Sequence, residues 1–274
     1  MGNTVGSLQT FNYSFQCKVK NMICLFKKKK KNIIPTTLIM NLALHNMTIK
    51  STINQGDALP SEGGSFSQIE YGVVVGTLFG DGCLVKRGNS IRLKIDHSIK
   101  QSSFVWWKHR ALSRLCTTTQ PPKVTTDKKG FQNLEFYTTS GTYLKPFQDA
   151  FYKLEANGRY KKLLTRELLE GLPLNPYILA VLFMDDGSVR NDCFSAKLAF
   201  HGFTKEEQEL FVSIYLKRWG IKGTVASHTL KSGLHYINLS AATFGKFIQI
   251  IEPIVREIPE MEYKLNELRK PRND

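Results

Sequence analysis

Two Asp-Gly pairs stand at the ends of similar apolar runs. Asp81-Gly82 follows the run 73–79, and Asp186-Gly187 follows the run 178–184. Such a run ending in glycine predicts a buried helix with a C-terminal stop, because glycine adopts the left-handed conformation that ends many helices. An aspartate is unexpected there, since a carboxylate at the negative end of the helix dipole is disfavoured by roughly 0.3–1 kcal/mol. A single Asp-Gly pair is most often only a turn, but two equivalent copies favour a functional role.

Two helices packed side by side would bring Asp81 and Asp186 together at their ends. Gly76 and Gly80 lie four residues apart and would let the helix backbones approach closely. Clustered carboxylates repel each other unless a cation lies between them, and oxygen ligands suit Mg²⁺ or Mn²⁺ with phosphate oxygens completing the shell. The chemistry predicted is metal-assisted phosphodiester hydrolysis.

The two runs belong to an internal repeat. Residues 73–82 match 178–187 at an offset of 105 residues, and 92–96 match 197–201 at the same offset. The offset then slips to 102, where Lys162 meets Lys264. The repeat predicts a first half at 66–165 and a second at 166–274, preceded by a weakly ordered basic arm at 1–65.

Each half shows the same order of hydrophobic patterns. Apolar and polar residues alternate over 91–96 and 196–201, which predicts a half-buried strand. A helical pattern follows each strand, and further strands are expected at 133–139 and 235–240. The second strand of the first pair leaves a fainter pattern. The prediction is an α+β fold made of two αββαββα repeats.

The charge of the chain favours a polyanionic partner. Thirty-eight Lys and Arg face 23 Asp and Glu, for a net charge of +15, and 42% of the 274 residues are hydrophobic. Residues 66–274 alone have 30 basic and 21 acidic side chains. Nucleic acid is therefore the expected partner of the folded part. The basic residues expected to contact it are Arg92, Lys94, Lys100, Lys197 and Lys205.

Other classes of protein are disfavoured. The five cysteines show neither CxxC spacing nor histidine partners at zinc-ligand distances, so we expect a reducing compartment. No run approaches the roughly 18 apolar residues of a membrane span. The arm contains the lysine run 27–31 but no arginine. It is either a transit peptide or a translated extension of little structural consequence.

The two runs resemble the motifs of the LAGLIDADG homing endonucleases, in their single-chain form with two motifs. Residues 179–187, Leu-Ala-Val-Leu-Phe-Met-Asp-Asp-Gly, match closely, and residues 74–82, Val-Val-Gly-Thr-Leu-Phe-Gly-Asp-Gly, match more loosely. The similarity covers most of 66–274. It implies a pseudo-twofold saddle in which two four-stranded antiparallel sheets read the major groove and the motif helices form the central interface.

The resemblance also implies roles for particular residues. Asp81 and Asp186 would bind the catalytic divalent metals, and Lys162 and Lys264 would act near the scissile phosphates, with Lys161 as an alternative to Lys162. By position, Asp96 and His201 would organise active-site water. An edge-strand aspartate and a histidine on a half-buried face are equally often only hydrogen-bonded, so both interpretations stay open.

The motifs depart from the family pattern at three positions. Val181 stands where glycine is usual, and Phe79 and Met184 stand where the first aspartate is usual. We expect these positions to face helix packing rather than metal. The tightness of the helix interface is the property that they affect.

The function predicted is double-strand cleavage at a long DNA site by a monomer that homes an intron. One alternative is a group I intron maturase that binds host intron RNA on the same scaffold. Another is a DNA-binding protein without catalysis, for which Asp81 and Asp186 would not matter. The resemblance places such genes in organellar introns, which predicts a mitochondrion or chloroplast.

Overall fold

Each repeat places a motif helix ahead of a four-stranded antiparallel sheet. The computed structural model describes residues 66–117, 120–190, 193–228 and 233–265, all within one compact unit. The predicted basic arm at 1–65 lies outside the described residues. In the described part of the chain, no helix combines the length and hydrophobicity that a membrane crossing needs.

The first repeat consists of short strands and helices with two 3₁₀ turns, Ile99–Gln101 and Ser113–Leu115. Its other elements are α1 (Gln68–Phe79), β1 (Cys83–Arg87), β2 (Ser90–Ser98), α2 (Ser102–Ala111), β3 (Lys123–Thr126), β4 (Gln132–Tyr137), α3 (Lys145–Phe151), β5 (Tyr152–Leu154) and β6 (Tyr160–Lys162). Helix α4 (Arg166–Gly171) follows at the start of the second half, ahead of its motif helix.

The second repeat has the same order of helices and strands as α1 to α3 of the first, and it contains a π-helical segment, Phe211–Leu216, and a final 3₁₀ helix, Pro259–Lys264. Its other elements are α5 (Pro176–Asp186), β7 (Gly187–Val189), β8 (Ala196–Leu198), α6 (Lys205–Leu210), β9 (Gly223–Ser227), β10 (His235–Leu239) and α7 (Ala241–Val255).

The two large sheets have the same topology, with strand orders β1-β2-β4-β3 and β7-β8-β10-β9 and antiparallel pairing throughout. The predicted α+β class with two αββαββα repeats is confirmed. One detail was wrong: the faint member of the first strand pair precedes the clear strand instead of following it. Strand β1 lies at the sheet edge and is only partly buried, so its sequence does not alternate strongly.

Local sequence signals start both motif helices. Ser67 caps α1 and forms a reciprocal capping box with Glu70, while Asn175 caps α5 ahead of Pro176. The Asn175 amide also donates to the Gln68 carbonyl oxygen at 2.6 Å, which joins the N-terminal ends of the two helices. The helices are thereby held side by side from their first turn.

Glycines of α1 allow the close contact between the motif helices, as predicted. A Cβ atom at Gly76 would lie 2.7 Å from Cβ of Val181, and one at Gly80 would lie 2.5 Å from Cβ of Asp185. Val181, which replaces the usual glycine of the motif, therefore fills the space that Gly76 leaves open. The departure from the family pattern keeps the interface tight instead of loosening it.

Both repeats contribute to a single hydrophobic core. Phe79 from α1 packs against Phe151 of its own repeat and against Phe200 and Phe211 of the other, with ring centroids 4.9–6.3 Å apart within this group. The indole N–H of Trp107 donates to Glu257 at 2.8 Å, again across the two repeats. Phe79 and Met184 are buried, so both positions face packing as expected.

Gly76→Ala is expected to lower the free energy of unfolding by about 1–3 kcal/mol, because the added methyl group overpacks the contact with Val181. Urea unfolding of each variant measures the change. Gly171→Ala is the matched control, since a Cβ there meets no atom within 4 Å. Adding Val181→Ala should recover part of the loss, and an unchanged stability for Gly76→Ala alone would contradict the close contact.

Candidate active site

The ends of the motif helices bring the two predicted aspartates together. Asp81 follows the last turn of α1, and Asp186 is the last residue of α5. The Asp81 side chain is 49% exposed, whereas Asp186 is more buried. The charge of the Asp81 carboxylate contributes to the raised pKa of Asp186. The two carboxylates therefore lie close enough to repel each other.

The glycines after these aspartates do not have the left-handed conformation that the sequence predicted. Gly187 has an extended backbone, with φ −85° and ψ 149°, and Gly82 is not among the glycines with positive φ. Each leads directly towards a strand, β1 or β7, and this requires extended geometry. Space is what excludes a side chain: a Cβ at Gly187 would lie 2.5 Å from the Phe183 carbonyl oxygen.

Burial and neighbouring negative charge raise the pKa of Asp186 to about 7. Burial is the largest cause, followed by the carboxylates of Asp81 and Asp185, and the ammonium groups of Lys162 and Lys264 oppose the shift. Repulsion between the carboxylates thus adds to the cost of burial. A cation bound between Asp81 and Asp186 would relieve this repulsion.

Lys162 and Lys264 cap the C-terminal ends of the two motif helices by hydrogen bonds to carbonyl oxygens. The Lys162 ammonium donates to the carbonyl oxygens of Gly80 at 3.0 Å and Gly82 at 2.6 Å, on either side of Asp81. The Lys264 ammonium donates to those of Phe183 at 3.3 Å and Gly187 at 2.7 Å. Burial lowers the pKa of both lysines, and the site carboxylates oppose this.

The two lysines lie on different kinds of secondary structure. Lys162 ends strand β6 of a short hairpin that the sequence did not predict, and Lys264 ends the last 3₁₀ helix. Lys161, the alternative that the sequence left open, is exposed. Lys162 is the lysine that contacts the site.

Three further residues at the site were missed by the sequence analysis. Asp185 has a fully buried side chain, and its carboxylate accepts from the Lys108 ammonium at 2.7 Å. That ammonium also lies 3.1 Å from Nε2 of His97, whose Nδ1 is 3.6 Å from the Asp81 carboxylate. Burial and the Lys108 charge lower the pKa of His97 to about 3, so the imidazole is neutral.

Sequence signals for two of these residues were available. Strand β2 buries every second residue from Ile91 to Ile95, and continuing that alternation places His97 on the core face. Lys108 stands four residues after Phe104 and three before Ala111, so it falls on the apolar face of α2. A buried lysine and a buried histidine each need a polar partner, and here they supply one another.

Asp96 lies near the site in an open cavity of about 360 Å³. Its carboxylate pairs with Lys94 at 3.0 Å, and the Lys94 ammonium also lies 3.2 Å from Glu135 on the neighbouring strand. Asp96 is thus hydrogen-bonded and at the same time faces the cavity that contains Asp81. The residues lining this cavity are Asp81, Cys83, Lys94, Asp96, His97, Ser98, Gln101 and Asn133.

His201 lies in the turn after β8, because this strand ends at Leu198 and is shorter than the predicted strand 196–201. It is exposed, its Nδ1 lies 2.9 Å from the carbonyl oxygen of His235, and its ring meets that of His228 edge to face. A second open cavity of about 250 Å³ contains it. The residues lining this cavity are Ser188, Lys197, Ala199, His201, His228 and Tyr236.

The basic residues predicted to contact nucleic acid fall into two groups. Arg92 and Lys197 stack over aromatic rings of neighbouring strands, Tyr137 at 3.8 Å and Tyr236 at 4.8 Å, and with Lys94 they lie on the polar faces of the two sheets. Lys100 and Lys205 are exposed in the segments that follow the sheet strands. Lys205 lies 3.7 Å from Glu209 of its own helix.

The donor set fits a divalent ion at Asp81 and Asp186. Two neighbouring carboxylates that repel each other, that of Asp81 being half exposed, offer the oxygen ligands that a hard divalent cation prefers. Asp81, His97 and Asp185 also have ligand atoms within 4.8 Å of one another. The Lys108 ammonium already contacts His97 and Asp185, so lysine takes the place of a cation there.

Comparison with known proteins agrees with this geometry. The LAGLIDADG DNA endonuclease family matches residues 71–247, which include most of α1, all of α5 and both four-stranded sheets. The chain belongs to the LAGLIDADG DNA endonuclease family. The fold of this family is the saddle that the sequence implied, with α1 and α5 as its central helices.

A solved structure shares the LAGLIDADG fold along most of the chain. The homing endonuclease I-WcaI, bound to its DNA recognition sequence, is 19% identical with a TM-score of 0.61, and the match covers 79% of this chain and 97% of that one. At that identity the likeness shows the fold alone.

The curated relatives are much longer proteins. The RecA protein of Mycobacterium gastri is 33% identical over 141 residues, which are 50% of this chain and 30% of the relative. The RecA protein of Mycolicibacterium flavescens is 28% identical over 212 residues, which are 73% of this chain and 47% of the relative. The chain thus spans less than half the length of these relatives.

Proposed function

We propose that this protein is a site-specific endonuclease that cuts both strands of DNA with the help of a divalent metal ion. The observation that carries the proposal is the meeting of Asp81 and Asp186 at the ends of paired helices, each flanked by a buried lysine. The family to which the chain belongs is one of DNA endonucleases. I-WcaI, which shares the fold, is a homing endonuclease bound to its recognition sequence.

Asp81 and Asp186 would hold the metal, Mg²⁺ or Mn²⁺, which when bound supplies Lewis-acid activation of water and of the leaving oxygen. The protein's own contribution is to orient these carboxylates. Lys162 and Lys264 fix the carbonyl groups around them, and two of the three N–H bonds of each ammonium are used in this way. The third can donate to a phosphate oxygen or to water.

The sheets provide surfaces for the DNA. Their outer faces present Arg92, Lys94 and Lys197 beside aromatic rings, and the net charge of the chain is +15. Basic groups of this kind bind phosphates and make affinity fall steeply with salt. Since one chain contains both repeats, we propose that a monomer covers both half-sites of a long target.

The direct test is cleavage of a randomised double-stranded DNA library with Mg²⁺, followed by sequencing of the cut ends. We expect cuts at one long site, with loss of cutting in excess chelator. An absence of cuts together with specific binding to an intron RNA would replace the endonuclease by the maturase. Homing of an intron and the mitochondrial or chloroplast setting stay predictions.

Lys162→Met and Lys264→Met are each expected to slow cleavage on the order of 10²-fold, the usual cost of removing one donor aimed at developing charge. Affinity for DNA should change little, because most phosphate contacts remain. Single-turnover cleavage and gel-shift titration measure the two quantities. Lys161→Met is the matched control, since Lys161 is exposed beside Lys162. Equal rates for Lys161→Met and Lys162→Met would remove Lys162 from the mechanism.

A further inference from the structure

A chain of buried polar groups joins the second motif to the first aspartate. The side chains of Asp185 and Lys108 are fully buried, and that of His97 is 2% exposed. The Lys108 ammonium contacts Asp185 at 2.7 Å and Nε2 of His97 at 3.1 Å. These three residues come from α5, α2 and β2, so the chain connects three separate elements.

This set of buried polar groups contacts Asp81 in two ways. Oδ2 of Asp185 accepts the backbone N–H of Asp81 at 3.4 Å, and Nδ1 of His97 lies 3.6 Å from the Asp81 carboxylate. An ammonium group only donates hydrogen bonds, so Nε2 of His97 must accept from Lys108. The hydrogen of the neutral ring then lies on Nδ1 and faces Asp81. A movement of about 0.5 Å would turn this approach into a hydrogen bond.

The second repeat lacks this arrangement. At the offset of 105 residues, the positions of His97 and Lys108 are occupied by Gly202 and Ser213, and that of Asp185 by Gly80. The hydroxyl of Ser213 donates to the Leu210 carbonyl oxygen of its own turn. The pseudo-symmetry of the two motifs is therefore broken at the active site by groups whose polar contacts reach Asp81.

We propose that Lys108 and His97 are positioning residues that hold Asp81 for cleavage, so that the two DNA strands depend unequally on them. This proposal rests on the proposed endonuclease function. Removing a residue that hydrogen-bonds to a metal ligand and orients it typically lowers activity about 10- to 100-fold. Loss of these polar contacts should slow cleavage of the DNA strand that depends on Asp81 more than cleavage of the other strand.

The experiment is single-turnover cleavage of a supercoiled plasmid that carries the target, with nicked and linear products counted separately. Lys108→Met alone leaves the Asp185 carboxylate buried without a partner, and it can unfold the protein. The variant to test is therefore Lys108→Met/Asp185→Ala, which removes both charges together. We expect unchanged DNA affinity, cleavage slowed about 10- to 100-fold, and accumulation of nicked plasmid.

His97 provides an independent arm of the test. His97→Leu removes the group that faces Asp81, whereas His97→Asn keeps an N–H close to the place of Nδ1. We expect nicked plasmid with His97→Leu and a partial return of linear product with His97→Asn.

A double variant that cuts both strands at the parental rate would overturn the positioning role. So would an equal slowing of both strands, which a general loss of packing would produce. Failure of the wild-type protein to cut any target would overturn the proposed function, and this inference with it.

Discussion

Asp186→Asn abolishes double-strand cleavage, in our expectation, while DNA affinity stays within a few-fold of the parent. The asparagine keeps the shape of the side chain and removes the charge that would hold a divalent ion. The metal's stabilisation of the transition state is worth several kcal/mol, so the rate should fall on the order of 10³-fold or more. Asp81→Asn should act in the same direction, since the two carboxylates form one charged cluster.

Single-turnover cleavage and gel-shift titration on the selected target provide the measurement. Asp149→Asn is the control, because Asp149 is exposed and, among the residues that the structure describes, pairs only with Lys145 of the same helix. Parental cleavage by Asp186→Asn would refute the assignment of the metal site. Loss of DNA binding instead of cleavage would show that the aspartate supports the fold and not the chemistry.

The same substitution is expected to stabilise the metal-free protein at alkaline pH. The pKa of Asp186 rises from 3.8 to about 7 on folding. Well below pH 4 the group is protonated in both states and costs no stability. As the pH rises from about 4 to 7, the unfolded state loses this proton while the folded state keeps it, and stability falls by up to about 4 kcal/mol.

Asparagine does not titrate, so Asp186→Asn escapes this loss. We expect it to exceed the parent by about 2–4 kcal/mol in free energy of unfolding at pH 8, and the gap should close towards pH 4.5. Urea unfolding in chelator at several pH values measures this gap. Asp149→Asn should show no comparable pH-dependent gap, and a constant gap for Asp186→Asn would show that its environment does not favour the protonated form.

Much of the fold could be predicted because repetition doubled each weak signal. The Asp-Gly ends and the alternating strand of 91–96 were recognisable once both copies were aligned, and the structure confirms the two sheets. The hairpin of β5 and β6 was not predicted, since the described residues of the second repeat contain no copy of it. Its strands of three residues are too short to leave a hydrophobic period.

The contacts of the site that could not be predicted are those without symmetry, although the burial of His97 and Lys108 could have been expected from their positions in β2 and α2. Asp81 and Asp186 followed from matching positions, whereas Lys108, His97 and Asp185 have no counterparts of the same type. Their roles come from contacts between elements far apart in sequence, which spacing cannot reveal. The glycine conformations were wrong for a related reason, because the strands that follow them decided the backbone geometry.

The unequal surfaces of the two motif helices decide which halves can associate. Gly76 and Gly80 make shallow hollows on α1, and Val181 and Asp185 fill them from α5. Two first halves placed together would leave these hollows empty, while two second halves would press their larger side chains against each other. If the chain were divided between its repeats, the fragments would reassemble as an unlike pair in preference to either like pair. The contact between α1 and α5 is thus complementary between two unlike helices, which a symmetric dimer of either helix would not reproduce.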